Sequence, residues 1–165
     1  VLVPAHTSVT VALACPRGTT PSSSGFDLRP RTKAAGSFGG LSLSLRRRTA
    51  TLTTASYAVQ NADARVRRVE IYGGCLTLLR PAGTPFEQLQ VVRTTARLPL
   101  QPGVQTVARS CRPGWFALDA GFALRSPSTT LGASAVAARA ARWTFESRAA
   151  VQTLVDVQLA CGRVG

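Results

Sequence analysis

Hydrophobic and polar positions alternate along much of the chain with a period of two residues. The clearest run is Leu41, Leu43 and Leu45, which serines separate, and residues 7–14 alternate in the same way. Because successive side chains of a β-strand point to opposite faces, this alternation predicts strands with one buried side. Clusters rich in Gly, Pro and Ser, such as residues 21–25, predict loops between the runs. With no convincing amphipathic helix, the pattern predicts an all-β fold of short antiparallel strands.

The alternating pattern and its punctuation occur twice. The motif Cys15-Pro16-Arg17-Gly18 and the dipeptide Gly25-Phe26 return as Cys111-Arg112-Pro113-Gly114 and Gly121-Phe122. An internal repeat of this kind usually means that one structural unit is built twice. We therefore predict two tandem modules, residues 1–79 and residues 97–165, joined by a connector at residues 80–96. Many short strands with frequent turn residues are typical of a small antiparallel β-sandwich or barrel in each module.

Farther along the chain, the two copies align in a second register. It pairs Tyr57 with Trp143 and Cys75 with Cys161. The first copy is therefore about ten residues longer in its middle, which predicts a longer surface loop there. The repeat also aligns the alanine-rich residues 133–142 with the alternating leucines of the first copy. Alanine favours a helix by propensity, but the alignment predicts a strand.

The 4 cysteines stand at matching places in the two copies. Four cysteines allow three disulfide connectivities, and the repeat favours the one that gives both copies the same bond, Cys15 to Cys75 and Cys111 to Cys161. Each bond would contribute on the order of 4 kcal/mol by restricting the unfolded chain. A zinc site is the alternative, but zinc ligands usually come in closely spaced cysteine pairs, which this chain lacks. Paired thiols predict an oxidising location.

The chain carries a formal net charge of +13, and all but one of its basic residues are arginine. An electrostatic footprint of this kind suits an acidic protein surface, an anionic cell-wall polymer or nucleic acid. The alternative is a solvated face that keeps the protein soluble. The candidate contacts to an anionic surface are the two densest runs, Arg46, Arg47, Arg48, Arg65, Arg67 and Arg68.

Aromatic residues at matching positions of the two copies are predicted core anchors: Phe26, Tyr57, Phe122 and Trp143. A protein that binds nucleic acid normally adds exposed aromatic side chains for stacking, or a helix that reads a groove. Since the core accounts for these aromatics, nucleic acid is the least favoured partner.

The chain offers little for catalysis. His6 is the only histidine, and the repeat places Pro102 at the matching position, so the copies could not share a histidine-based site. The 7 acidic residues form no local cluster for glycosidase chemistry or for calcium. Phosphate-binding and dinucleotide-binding motifs are absent. We expect a non-enzymatic protein without a cofactor or a metal.

No stretch of the sequence is long and apolar enough to span a membrane. The first residues also lack the charged start and the sustained apolar run of a signal peptide. Two explanations are open: a leader has been removed, or Val1 reflects a GTG start codon written as valine.

The chain resembles the small cysteine-framed β-sandwich repeats of secreted proteins from GC-rich bacteria, especially actinobacteria, and of structural proteins of their phages. Those repeats typically read C-P-x-G, then G-G-G-F, then an aromatic strand that ends in a cysteine. The resemblance rests on Cys15-Pro16-x-Gly18, Gly25-Phe26, Tyr57-x-Val59, Val69-x-Ile71 and Cys75. It implies a non-catalytic extracellular or virion-surface module.

Three functions follow, in order of preference. The first is a structural protein of a phage virion, a decoration or accessory protein on the virion surface that binds the acidic shell of a capsid or tail. Such a protein would be homo-oligomeric, for example trimeric, because repeated sandwiches with strand edges suit symmetric assembly. The second is a secreted bacterial cell-surface or adhesion module that binds an anionic polymer. The third is a nucleic-acid-binding protein.

Overall fold

The computed structural model of the chain describes residues 1–17, 19–29, 43–51, 53–76 and 89–164, with side chains for all of these except residues 23–29 and 89. The described residues contain no helix, so the all-β prediction is confirmed. The strands are β1 (Leu2–Val3), β2 (Ser8–Ala14), β3 (Thr20–Arg29), β4 (Leu43–Ala50), β5 (Thr54–Asn61), β6 (Arg67–Leu76), β7 (Leu89–Leu100), β8 (Gly103–Ser110), β9 (Phe116–Leu124), β10 (Thr129–Ala137), β11 (Ala140–Ser147) and β12 (Thr153–Val164).

The two halves of the chain have the same strand order. In the first half, β1-β6-β3 form a three-stranded sheet and β2-β5-β4 lie side by side. In the second half, β7-β12-β9 lie side by side and β8-β11-β10 form the other three-stranded sheet. Strands β1 to β6 thus correspond one by one to β7 to β12. All described strand pairs are antiparallel.

The β-bulges of the two halves also correspond. Arg46 in β4 and Gly132 in β10 are extra residues at the same place in their strands. Ser22 in β3 and Leu118 in β9 form a second matching pair. Since bulges are positional features of a fold, this agreement is compatible with the predicted tandem repeat. The module boundaries at residues 79 and 97 stay a prediction, and β7 begins inside the predicted connector.

One sheet joins the two halves. Strand β4 pairs with β9, Arg47 opposite Ala123 and Arg48 opposite Phe122, which gives a six-stranded sheet of order β2-β5-β4-β9-β12-β7. We call this contact the β4–β9 junction. Gly121 permits it, because a Cβ at Gly121 would lie 2.4 Å from the carbonyl oxygen of Arg48. Three strands from each half therefore form one continuous six-stranded sheet.

Both three-stranded sheets cover the same face of the six-stranded sheet. Directly opposed residues of neighbouring strands point their side chains to the same face. The Arg48 guanidinium lies 5.9 Å from the ring centroid of Tyr57, while Phe122 meets Phe145 of β11 edge to face at 6.1 Å. Tyr57, Phe122 and Trp143 are buried in one continuous cluster. The fold is a two-layer β-sandwich whose core runs through both halves.

The predicted disulfides are confirmed. Cys15 is bonded to Cys75 and Cys111 to Cys161, with no free cysteine among the described residues. Each bond lies within one half of the chain. Neither disulfide therefore crosses the β4–β9 junction.

Two local expectations have different outcomes. The loop predicted at residues 21–25 is wrong, because these residues belong to β3, which pairs with β6 as far as Cys75. Pairing with a neighbouring strand outweighs the turn preference of Pro and Gly. The strand predicted in the alanine-rich segment is confirmed, because β10 and β11 form a hairpin there. The longer middle loop of the first copy falls largely outside the described residues, as does the side chain of Phe26.

Candidate anion-binding surface

The six arginines predicted to contact an anionic surface lie in two separate places. Three of them follow one another on β4, in the six-stranded sheet, and the other three lie in the β5–β6 turn and on β6, in a three-stranded sheet. The run on β4 is Arg46, Arg47 and Arg48, and the second run is Arg65, Arg67 and Arg68. The two runs do not make one continuous basic surface.

Arg48 is a structural residue of the β4–β9 junction. Its relative exposure is 7%, and its guanidinium forms a salt bridge with the buried carboxylate of Asp119 on β9. A buried charge is retained only when it is paired and hydrogen-bonded, and this pair satisfies that condition. The expectation that Arg48 contacts an external surface is therefore corrected: its charge holds the two halves together.

Arg46 also forms hydrogen bonds within the chain. Its guanidinium donates hydrogen bonds to the carbonyl oxygens of Ser126 at 2.5 Å and Thr129 at 3.0 Å, at the start of β10. Burial lowers the pKa of Arg46 from its usual value. The bulge in β4 turns this side chain towards the second half of the chain, so Arg46 is a second link between the halves.

The second run is partly neutralised by neighbours. Arg67 forms a salt bridge with Asp63, and the hydrogen bond from Arg67 lowers the pKa of that carboxyl. Arg68 lies 3.3 Å from a carboxylate oxygen of Glu70. Arg65 is exposed, and its carbonyl oxygen accepts a hydrogen bond from the buried side chain of Asn61. This run presents less free positive charge than its sequence suggests.

Arg47 lies on the outer face of the six-stranded sheet, away from the core. One row of opposed residues crosses four strands there: Arg97 on β7, Asp156 on β12, Ala123 on β9 and Arg47 on β4. Arg125, just beyond the end of β9, flanks the same row. Arg47, Ala123, Asp156 and Arg125 border a cleft of about 210 Å³, which we call the junction cleft, whereas Arg97 is not among its lining residues. The cleft could hold a carboxylate, a phosphate or one charged unit of a polymer.

Asp156 forms salt bridges with two arginines, Arg125 in the lining of the junction cleft and Arg97 on the neighbouring strand β7. Arg97 donates to one carboxylate oxygen of Asp156 at 2.9 Å, and Arg125 donates to the other at 2.7 Å through Nε. The hydrogen bond from Arg97, followed by that from Arg125, lowers the pKa of Asp156 against an opposing effect of burial. Asp156 is therefore ionised at neutral pH and fixes both guanidinium groups. Arg47 is exposed and forms no salt bridge with any described residue.

The lining of the junction cleft carries Arg47, Arg48 and Arg125 against one carboxylate, Asp156, so it is positively charged. Thr49, Thr95 and Gln158 add hydrogen-bonding side chains to its lining. The side-chain oxygen of Gln158 accepts a bond from the backbone N–H of Ala50 at 3.3 Å, which fixes its orientation. The cleft is therefore a basic recess on the sheet, and the apolar residues Phe122, Ala123 and Val157 complete its lining.

Sequence reasoning found Arg47 and missed Arg97, Arg125 and Asp156. These three are isolated in the sequence, and only lateral strand pairing brings them together. One signal was present: the repeat aligns Asp156 with Glu70, and Arg125 with Arg29. An acid and a base that recur in both copies are a cue for a cross-strand ion pair.

The described residues give no support for a histidine-based site or a metal site. His6 is exposed near the first strand. No three His, Cys, Asp or Glu side chains come together there as metal ligands would. None of the described segments forms a helix able to cross a bilayer.

Comparison of the chain with protein-family models, curated proteins and solved structures gives no match.

Proposed function

We propose that the protein is a non-catalytic structural protein that attaches through the junction cleft to an acidic macromolecular surface, and that this surface is the capsid or tail shell of a phage virion. The observation that carries the proposal is the position of Arg47. It lies exposed at the cleft, whose lining also contains Arg125, and Asp156 already holds Arg125 in place.

The geometry suits carboxylates. A guanidinium presents parallel N–H donors that match both oxygens of a carboxylate. Arg97 and Arg125 are 60% and 54% exposed, so each keeps donors that face solvent while one edge contacts Asp156. Because these side chains are held on a sheet, less conformational entropy is lost when an acidic side chain binds.

The net charge of the whole chain adds a long-range electrostatic attraction to an acidic surface. A net charge of +13 steers the protein towards an acidic surface and accelerates encounter, an effect that salt weakens. The resemblance to phage structural repeats favours a virion as the source of that surface. Nucleic acid is a weaker candidate, because Tyr72 is the one exposed aromatic among the described side chains.

A second candidate is a secreted cell-surface module that binds an anionic wall polymer. The two disulfides favour it, since disulfides persist in oxidising, extracellular locations. The same cleft would then bind phosphate or carboxylate groups along a polymer. The two candidates differ in the partner and share the site.

Charge reversal tests the site. Arg47→Glu should weaken binding to poly-L-glutamate at least about tenfold, because it places a carboxylate at the rim of the cleft. The matched control is Arg142→Glu on β11, an exposed arginine outside the six-stranded sheet with the same change in net charge. The control should lose much less affinity. Equal losses of affinity in both variants would show that binding depends on net charge alone, and would reject the cleft as the site.

The partner is tested separately, with material from the native source. Co-sedimentation with virus-sized particles, reversed by Arg47→Glu, is the expected result. Recovery of the protein in soluble or wall-bound material, with binding to a glycerol-phosphate polymer, would replace the virion with the second candidate. Tight, salt-sensitive binding to duplex DNA in the presence of competitor would reject both.

A further inference from the structure

Among the described residues, one edge of strand β10 pairs with no other strand, at a place where the edge of its counterpart is covered. In the first half, β4 is flanked by β5 on one side and by β9 on the other. In the second half, β10 pairs with β11 on one side and is the edge strand of its sheet. The fold therefore already contains one example of a strand that covers this kind of edge.

The uncovered part of β10 is the segment Ala133–Ala137, with the sequence Ala-Ser-Ala-Val-Ala. All five residues are exposed, and Val136 is 43% exposed although it is apolar. An edge strand normally carries charged residues or proline, which prevent another strand from pairing with it. The segment has neither, whereas the edge strand β7 carries Arg93, Arg97 and Pro99.

Among the described edge strands, the two-residue strand β1 and strand β2 also lack a charged residue and a proline. The alternate residues Val9 and Leu13 of β2 pack against the core, so one face of β2 is already covered. Residues 133–137 are exposed on both faces. Covering them would remove apolar surface from water as well as satisfy the backbone groups of the free edge.

We propose that β10 pairs with β10 of a second copy of this chain, antiparallel about Ala135. A two-fold axis through Ala135 places Ala133 opposite Ala137 and Ser134 opposite Val136. These pairs are small and uncharged, so the segment is complementary to itself. Two three-stranded sheets become one six-stranded sheet across the dimer. Since the paired segment is short, the dimer is weak and depends on concentration.

The dimer would present two junction clefts on one particle. Two weak sites that bind the same surface together hold it more tightly than either does alone. The pairing of β10 does not depend on the proposed function, because it concerns a different sheet and is measured without any ligand.

The test is sedimentation equilibrium of the full chain over roughly 1 µM to 1 mM, a range that covers weak interfaces. Ala135→Lys and Ala135→Glu should each remain monomeric, because like charges then face each other at the two-fold axis. An equimolar mixture of the two variants should dimerise again, because Lys then faces Glu. The matched control is Ala12→Lys, at an exposed alanine in the middle of β2, which should dimerise like the unchanged chain.

Each outcome decides the proposal. Restored dimerisation in the mixture supports pairing of β10 with β10, because another partner strand would not respond to the exchange of charges. A monomeric unchanged chain at 1 mM overturns the proposal. Dimers of Ala135→Lys alone, or loss of the dimer in Ala12→Lys, also overturn it and place the interface elsewhere. Circular dichroism and the melting temperature establish that each variant is folded.

Discussion

The edges of strands β4 and β10 occupy equivalent places in the two halves of the molecule, but in the part of the chain that the structure describes only the edge of β4 pairs with a further strand. Arg48 on β4 meets Asp119 on β9, and both are buried. In the registers of the repeat, Ser134 stands where β4 has Arg48, and Ser23 stands where β9 has Asp119. The second pair of edges therefore lacks the ion pair that ties the first. Halves with the same topology therefore differ in the charged side chains at equivalent edges.

Arginine has two different roles in this protein. Arg46 and Arg48 bind groups within the chain, whereas Arg47 between them faces outward. Adjacent residues of a strand alternate faces, and the bulge at Arg46 adds a third direction. A run of three arginines is therefore not a single electrostatic feature.

The largest expected effect concerns the core that the two halves share. Trp143→Ala should cost about 3–5 kcal/mol of unfolding free energy, because it empties a fully buried site. Tyr57→Ala, at the equivalent place in the first half, should cost a comparable amount. Thermal unfolding should remain a single transition in both variants, since the core is continuous. An unchanged melting temperature for Trp143→Ala would mean that this residue is not core, and two separate transitions would mean that the halves fold independently.

The next effect concerns the ion pair at the β4–β9 junction. Asp119→Ser should cost at least about 3 kcal/mol, because it leaves the buried guanidinium of Arg48 without its carboxylate. The double variant Arg48→Ser/Asp119→Ser reproduces the serines at the equivalent edges of the other half. It should cost less than the sum of the two single variants, which denaturant unfolding in a double-mutant cycle measures. Additive costs would show that the two side chains do not interact across the junction.

A smaller effect is expected from the close approach of the two strands. Gly121→Ala should destabilise the protein by about 1–3 kcal/mol, because its Cβ would overlap the carbonyl oxygen of Arg48 and push β4 away from β9. Gly132→Ala on β10 is the control, since its Cβ would meet nothing closer than 3.4 Å. Hydrogen exchange of the β4 amides should rise in Gly121→Ala. Equal stability of both variants would indicate that β4 and β9 are less closely joined.

The smallest effect is a dependence on pH at the rim of the junction. Asp156 has a lowered pKa, so its ion pairs stabilise the fold fully above the ordinary Asp pKa and lose this contribution as pH falls through the lowered value. Each such exposed pair contributes about 0.2–1 kcal/mol. Asp156→Asn should remove this part of the acid dependence, which NMR titration and acid unfolding measure. An Asp156 carboxyl that titrates at its ordinary pKa would contradict the cluster.

More of the fold than of the candidate site could be predicted from the sequence. Strands, disulfides and buried aromatics were predictable, because alternation and the repeat report which face of a strand is buried. Asp119 lies far from Arg48 in the sequence, and Asp156 pairs with Arg97 and Arg125, which come from two other parts of the chain. Such contacts depend on which strand edges lie side by side, and the periodic pattern of the sequence does not report this. The repeat made these strand neighbours harder to predict, because equivalent strands in the two halves have different neighbours.

The positions of the disulfides have a consequence for mechanical load. Each bond closes a loop within one half, so tension between the chain ends cannot extend those loops. Extension of the chain between Cys75 and Cys111 would require β7 and β8 to separate from β12 and β11, because both strands lie in that segment. Tension that pulls the two halves apart would also load the β4–β9 junction, which has two opposed residue pairs. The disulfides therefore limit how far the molecule can lengthen, because only the chain outside the two closed loops can extend, and it does so only as strands such as β7 and β8 come away.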